Sequence, residues 1–205
     1  METEIISAGR LDALQKAVEL LKEGNPVAFP TDTVYGLGVL AFDQHGIDQL
    51  YAVKRRNSLK AIPILLGDPA ELAQVTAGMG EIALRLAQRF WPGPLTLVVP
   101  CHPGLPPNLS PQPTIGVRMP DHPVALSLLR LTGPLAVTSA NQSGSESAAT
   151  AQEVFAQLGG RIPLILDGGR TPGGLPSTVV DCTGPEPVIL RPGPISMPEL
   201  RAVLS

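Results

Sequence analysis

Apolar and polar positions recur at two periods along this chain, and the changes of period mark its elements. Leu11, Leu14, Val18 and Leu21 follow helical spacing with charged residues between them, and Gly24 follows as a stop. Val27-Ala28-Phe29 is short and wholly apolar, which predicts a buried strand. Ile47, Leu50, Tyr51 and Lys54 predict a second helix. Its last turn opens the basic cluster Lys54-Arg55-Arg56, a placement that suits the helix dipole. Further strands are expected over 62–66, 95–99, 115–119, 135–138, 164–166, 178–181 and 188–190, with helices over 81–90 and 124–131. Asp68-Pro69-Ala70-Glu71, Thr150 through Glu153 and Ser196-Met197-Pro198-Glu199 carry helix-start signals: a small polar cap with an acidic residue three positions on. The order is mixed, and the late strands are read as joined by short turns. This predicts one α/β domain over 1–205 with a mixed, twisted sheet.

Composition narrows the picture. The 205 residues are 43% hydrophobic, enough for one substantial core or two small ones. The 23 prolines and 21 glycines lie between apolar runs, which suits an ordered domain with sharp turns. A net charge of −3 supplies no global field for nucleic acid or membrane, and 3% aromatics weakens any base-stacking surface. Cys101 and Cys182 make no framework, and His45, His102 and His122 lack ligand spacing, so no metal site is expected from the protein. With no leader pattern and no apolar run near membrane-spanning length, a cytoplasmic protein is expected.

Polar groups gather where apolar runs end. Pro30-Thr31-Asp32-Thr33-Val34-Tyr35-Gly36-Leu37-Gly38 follows the first strand, and its glycines suit either a tight turn or a close backbone approach to a ligand. Arg118, Thr138-Ser139-Ala140-Asn141 and Arg191 close three other strands, and Ser177 stands just before a fifth. Hydroxyls, an amide and arginines together suit an anionic ligand with many hydrogen-bond acceptors. Each also has a plain reading as a cap or turn residue; their recurrence favours one polar cleft. No P-loop occurs, Ser139 lacks a nucleophile elbow, and Gly36-Leu37-Gly38-Val39-Leu40-Ala41 leads into an apolar run instead of a helix. The glycines of 168–174 read as a mobile surface loop.

Six segments now become specific in combination. They are Pro30–Gly38, Lys54-x-Arg56, Gly116-Val117-Arg118-x-Pro120, Thr138-Ser139-Ala140-Asn141-x-Ser143-Gly144, Ser177-Thr178-Val179-Val180-Asp181 and Arg191-Pro192-Gly193. In this order they resemble the YrdC-like family of L-threonylcarbamoyladenylate synthases, from about Leu11 to Ser196. Asn57 and Ala61 depart from prolines common in that family, and Leu65 from a histidine found in some members. The resemblance implies an open, twisted sheet with a concave polar cleft. It implies a nucleotidyltransferase that joins L-threonine, bicarbonate and ATP into threonylcarbamoyl-AMP and pyrophosphate, with Mg²⁺ accompanying ATP. A partner complex would pass the threonylcarbamoyl group to tRNA beside the anticodon. By the same resemblance, Lys54, Arg56, Ser139 and Asn141 are catalytic. Thr33, Arg118, Thr138 and Ser177 hold threonine, while Arg56, Lys60, Thr114, Ser147 and Arg191 hold ATP. The chain resembles the short, single-domain form. The rival readings are an RNA-binding module without catalysis and a carbamoyl-transfer enzyme on the same fold.

Overall fold

A ten-stranded sheet organises the computed structural model, which describes residues 1–55, 57, 59–172 and 174–205. In chain order the elements are β1 (Glu4–Ser7), α1 (Ala13–Lys22), β2 (Val27–Phe29), β3 (Gly36–Leu40), α2 (Gln44–Lys54) and β4 (Ile64–Leu65). A 3₁₀ turn, Pro69–Glu71, runs into α3 (Leu72–Val75), followed by α4 (Glu81–Phe90), β5 (Leu95–Pro100), β6 (Thr114–Arg118) and α5 (Pro123–Thr132). Then come β7 (Leu135–Ser139), α6 (Ala151–Leu158), β8 (Leu164–Asp167), β9 (Thr178–Asp181), β10 (Val188–Arg191) and α7 (Met197–Leu204). The strand order is β1-β8-β2-β3-β7-β4-β6-β5-β9-β10, with parallel and antiparallel pairs mixed. The α/β class and the mixed, open sheet agree with the expectation from sequence.

The helix starts form for the expected local reasons. Asp68 accepts from the Ala70 N–H while Glu71 reaches back to the Asp68 N–H, and Ser196 and Glu199 make a second such box. Thr150 caps α6 by accepting from the Glu153 N–H. Other expectations shift. Leu11 is fully exposed and precedes α1, whose buried stripe is Ala13, Ala17 and Leu21. Leu14 and Val18 pack against the same cluster and Leu21 is fully buried, so the expected helical face holds and only Leu11 falls outside it. The strand expected over 62–66 shortens to Ile64–Leu65, since Pro63 has no N–H for the ladder. Gly36 and Gly38 are strand residues, not turn residues. A Cβ at Gly36 would come within 2.8 Å of Val137, and one at Gly38 within 3.1 Å of Phe29 and Val137, so close packing demands glycine there. The late strands are not neighbours throughout: β8 pairs with β1 and β2, whereas β9 and β10 form the opposite margin. Strands β1 and β3 were not predicted, whereas the helix start at Asp68 leads through the 3₁₀ turn into α3.

The core sits on both faces, unequally. On one face, residues of α2, α3, α4, α6 and α7 form a continuous apolar cluster with the sheet. On the other, α1 and α5 bury Phe29, Leu65, Leu135, Val137 and Leu166. That second layer stops at β4. The ladder register carries Leu135, Leu65 and Arg118 onto one face, and Thr96, Val179 and Arg191 continue the row. Over β6, β5, β9 and β10, the helices among the described residues leave this face uncovered, so Thr114, Gly116, Val98 and Val179 are partly open. An irregularity between Ile189 and Arg191 bulges Leu190 out of the ladder and turns Arg191 onto the open face.

Candidate active site

The polar groups do not meet at a single sheet margin. Strand β7 runs antiparallel to β4, and β4 parallel to β6, so β2 and β7 end on one side while β6 and β10 end on the other. They converge instead over the uncovered face, where the 30–35 loop folds in to meet Arg118. The result is a cavity of about 150 Å³ lined by Thr33, Arg118, Thr138, Ser139, Ser177 and Arg191, with Thr31, Tyr35 and Thr96 among its other walls.

Arg118 is its buried anchor. Nε donates to the Gly93 carbonyl at 2.9 Å and Nη1 to Thr33 Oγ1 at 3.1 Å, while Nη2 pairs with Asp32 Oδ1. A guanidinium carries five N–H donors, so among the described residues one remains on each terminal nitrogen. Burial pulls the guanidinium below its ordinary pKa; Asp32 opposes that shift and Arg191 adds to it. Thr31 Oγ1 lies 3.0 Å from Thr33 Oγ1 and donates to the Val34 carbonyl at 2.7 Å, which orients the Thr33 hydroxyl. Across the cavity Ser177 Oγ lies 2.8 Å from Thr96 Oγ1, and Arg191 Nη2 donates to the Ser177 carbonyl at 2.7 Å and to its Oγ at 3.1 Å. Gly193 permits that approach: a Cβ there would lie 2.4 Å from the Thr178 nitrogen and 2.6 Å from the Pro176 carbonyl oxygen.

Lys54 ends α2, where a lysine suits the helix dipole, and it is 1% exposed. Its ammonium donates to the Ser139 carbonyl, to the Asn141 carbonyl at 2.7 Å and to Asn141 Oδ1 at 3.2 Å. Asn141 in turn accepts from Ser139 Oγ and donates through Nδ2 to the Ser145 carbonyl at 2.6 Å. Lys54 therefore braces the turn that carries Ser139 and Asn141. The turn starts a loop whose far end is fixed by the Tyr35 N–H on the Ala148 carbonyl at 2.9 Å.

The remaining expected residues fall at varied distances. Thr114 begins β6 on the same face as Arg118, four residues away along the strand, and does not line the cavity. Ser147 lies in the 141–149 loop, and Lys60 is exposed beyond α2 with its carbonyl taking the Tyr51 hydroxyl at 2.9 Å; neither lines the cavity. Arg56 lies outside the described residues. The 168–174 loop was read as mobile, but its first half is tied down: the Tyr35 hydroxyl donates to the Gly169 carbonyl at 2.7 Å, and Thr171 N–H to the Ala149 carbonyl at 2.9 Å. Burial raises the Tyr35 phenol to about 12, so it stays a donor. Thr31 was read as part of its polar cluster without a ligand role, and Thr96 was missed. Thr96 had a usable signal, as the polar position in the apolar run Leu95–Val99.

A buried arginine with spare donors among the described residues, ringed by hydroxyls in an amino-acid-sized cavity, gives this α/β protein a pocket suited to a small carboxylate or phosphate on the open face of its sheet. The chain belongs to the Sua5/YciO/YrdC family, whose model, described as "Telomere recombination", matches residues 19–193. It is 44% identical over 197 residues to the threonylcarbamoyl-AMP synthase of Bacillus subtilis, covering 93% of this chain and 56% of that one. The Homo sapiens threonylcarbamoyl-AMP synthase is 36% identical over 195 residues, covering 91% of this chain and 69% of that one. The crystal structure of P. abyssi Sua5 complexed with L-threonine superposes with a TM-score of 0.94 at 39% identity, covering 98% of this chain and 61% of that one. The chain thus spans little more than half the length of the Bacillus relative. Among the described residues, no helix is long and apolar enough to cross a membrane.

Proposed function

We propose that this chain is an L-threonylcarbamoyladenylate synthase, a nucleotidyltransferase that forms threonylcarbamoyl-AMP and pyrophosphate from L-threonine, bicarbonate and ATP. The observation that carries this reading is Arg118: a buried guanidinium with two N–H donors uncommitted among the described residues, facing a cavity walled by Thr33, Thr138 and Ser177. Its similarity to a Sua5 complexed with L-threonine supports the choice of amino acid.

The chemistry asks for alignment and charge stabilisation more than for a covalent intermediate. Arg118 takes the threonine carboxylate, and Thr33, Thr138 and Ser177 take its hydroxyl and amine. The amine adds to bicarbonate-derived carbon to give a carbamate and water. A carbamate oxygen then attacks the α-phosphorus of ATP, and the bond to pyrophosphate breaks. Ser139 and Asn141 orient the carbamate, on a turn that Lys54 holds. Arg56, Lys60, Thr114, Ser147 and Arg191 are assigned to the nucleotide. Mg²⁺ enters as part of the ATP substrate. Among the described residues no three acidic, histidine or cysteine side chains cluster as a ligand set, and Asp32 is already engaged by Arg118. The product is then passed to a threonylcarbamoyl-transfer complex that acts on tRNA.

The test is pyrophosphate release by the purified chain with ATP, Mg²⁺, L-threonine and bicarbonate, leaving out one component at a time. Release that requires both threonine and bicarbonate is the expected result. Release independent of both assigns the chain to other nucleotide chemistry.

A further inference from the structure

Behind Arg118, two buried polar atoms lack a hydrogen-bond partner among the described residues: Oδ2 of Asp32 and Nδ1 of His122. An unpaired buried acceptor is costly, and two on neighbouring groups ask for a shared proton. Asp32 is nearly enclosed, at 11% side-chain exposure, with its other oxygen on Arg118. His122 stands at the N-cap of α5 without capping it. Its ring and Pro30 both adjoin Gly168, where a Cβ would lie 2.7 Å from Pro30 Cγ and 3.6 Å from the imidazole Cε1.

We propose that His122 is a positioning residue for the threonine site: its Nδ1–H reaches Oδ2 of Asp32 through one water, and so fixes the carboxylate that grips Arg118. This rests on the reading of Arg118 as the threonine carboxylate anchor. In the neutral ring one nitrogen carries the proton, and a carboxylate beside Nδ1 selects that tautomer. The arrangement is a chain of His122, Asp32, Arg118 and substrate carboxylate. Asp32 turns one oxygen to each neighbour, so the carboxylate cannot rotate without breaking both bonds.

The charges around the ring are few. Asp32 faces it from the loop after β2, and Asp121 adjoins it in the chain; both pull its pKa up against the larger downward effect of burial. Arg118 lies on the far side of Asp32, with Arg191 beyond it. Asp167, at the end of β8, places Oδ1 on the Tyr35 hydroxyl and the Gly169 N–H.

Two measurements on the full chain test the inference. The first is the imidazole titration of His122 by NMR, assigned against His45 and His102, in the wild type and in Asp32→Asn. The midpoint of His122 is expected to fall in Asp32→Asn, and a midpoint that does not move overturns the pairing. The second is a split of kinetic constants. His122→Ala is expected to raise the threonine KM roughly fivefold, the scale of one net hydrogen bond. The ATP KM and kcat should stay within about twofold. His122→Asn, whose amide places an N–H near the Nδ1 position, should restore the threonine KM. Equal changes in both KM values, or an Asn variant no better than Ala, overturns the positioning role. If the chain shows no threonine dependence at all while the His122 midpoint still responds to Asp32, the synthase reading fails and the pair stands.

Discussion

Lys54 and Arg118 are both buried cations beside one cleft, and they commit their protons differently. The Lys54 ammonium has three N–H donors and gives all of them to the turn at Ser139 and Asn141. Arg118 commits three of five, to Gly93, Thr33 and Asp32. Burial alone does not separate the two, since both are nearly enclosed. Donor accounting does: a saturated cation is a brace, and one with donors left over awaits a ligand. The planar fork explains the assignment, because arginine can hold its scaffold with one edge and present another.

Substituting the brace should have the largest effect. Lys54→Met keeps the stem but takes a charged donor from three oxygen acceptors, and is expected to cost about 3–5 kcal/mol in urea unfolding, the scale of two lost hydrogen bonds to a charged group. A cost below about 1 kcal/mol, within the ordinary worth of one hydrogen bond, breaks the comparison. Arg118→Lys comes next. It keeps the charge and loses the fork, so the threonine Kd should rise about 10- to 100-fold, the scale of a charge-assisted hydrogen-bond pair, with ATP affected far less. Equal losses for both ligands would mean that Arg118 serves the fold and not the carboxylate.

The smallest effect is a pH dependence at the Arg118 end. Burial holds His122 below its ordinary 6.5. The unfolded chain therefore binds the proton more readily than the folded one. His122 then contributes stability that is complete above pH 6.5 and declines as pH falls through the folded-state value. Thermal unfolding of His122→Asn should lack that decline while the wild type shows it. An identical acid profile in the two would place the dependence elsewhere.

Much of this was legible locally. Thr33, Arg118, Thr138, Ser177 and Arg191 stand where apolar runs stop, and all five reach the cavity. The caps at Asp68, Thr150 and Ser196 could be read because their partners lie within three residues. The burial of Lys54 was not legible because a helix-end lysine that faces solvent and one that turns inward have the same local sequence; the acceptors that draw it in are 85 and 87 residues away. Thr96 was missed for a related reason: only the register of β5 against β6 and β9 shows that it sits between Arg118 and Ser177.

The sequence by itself determined the elements, the polar strand ends and, through six segments in order, the family. Those depend on short-range pattern: period, caps and residue type. The tertiary structure decided that strands ending on opposite sides of the sheet supply one cavity. It also decided that the cavity lies where α1 and α5 stop covering the face, and which buried cation keeps donors for a ligand. Strand order and helix coverage are set by the packing of distant apolar faces, and a hydrogen bond exists only once both partners are brought within reach.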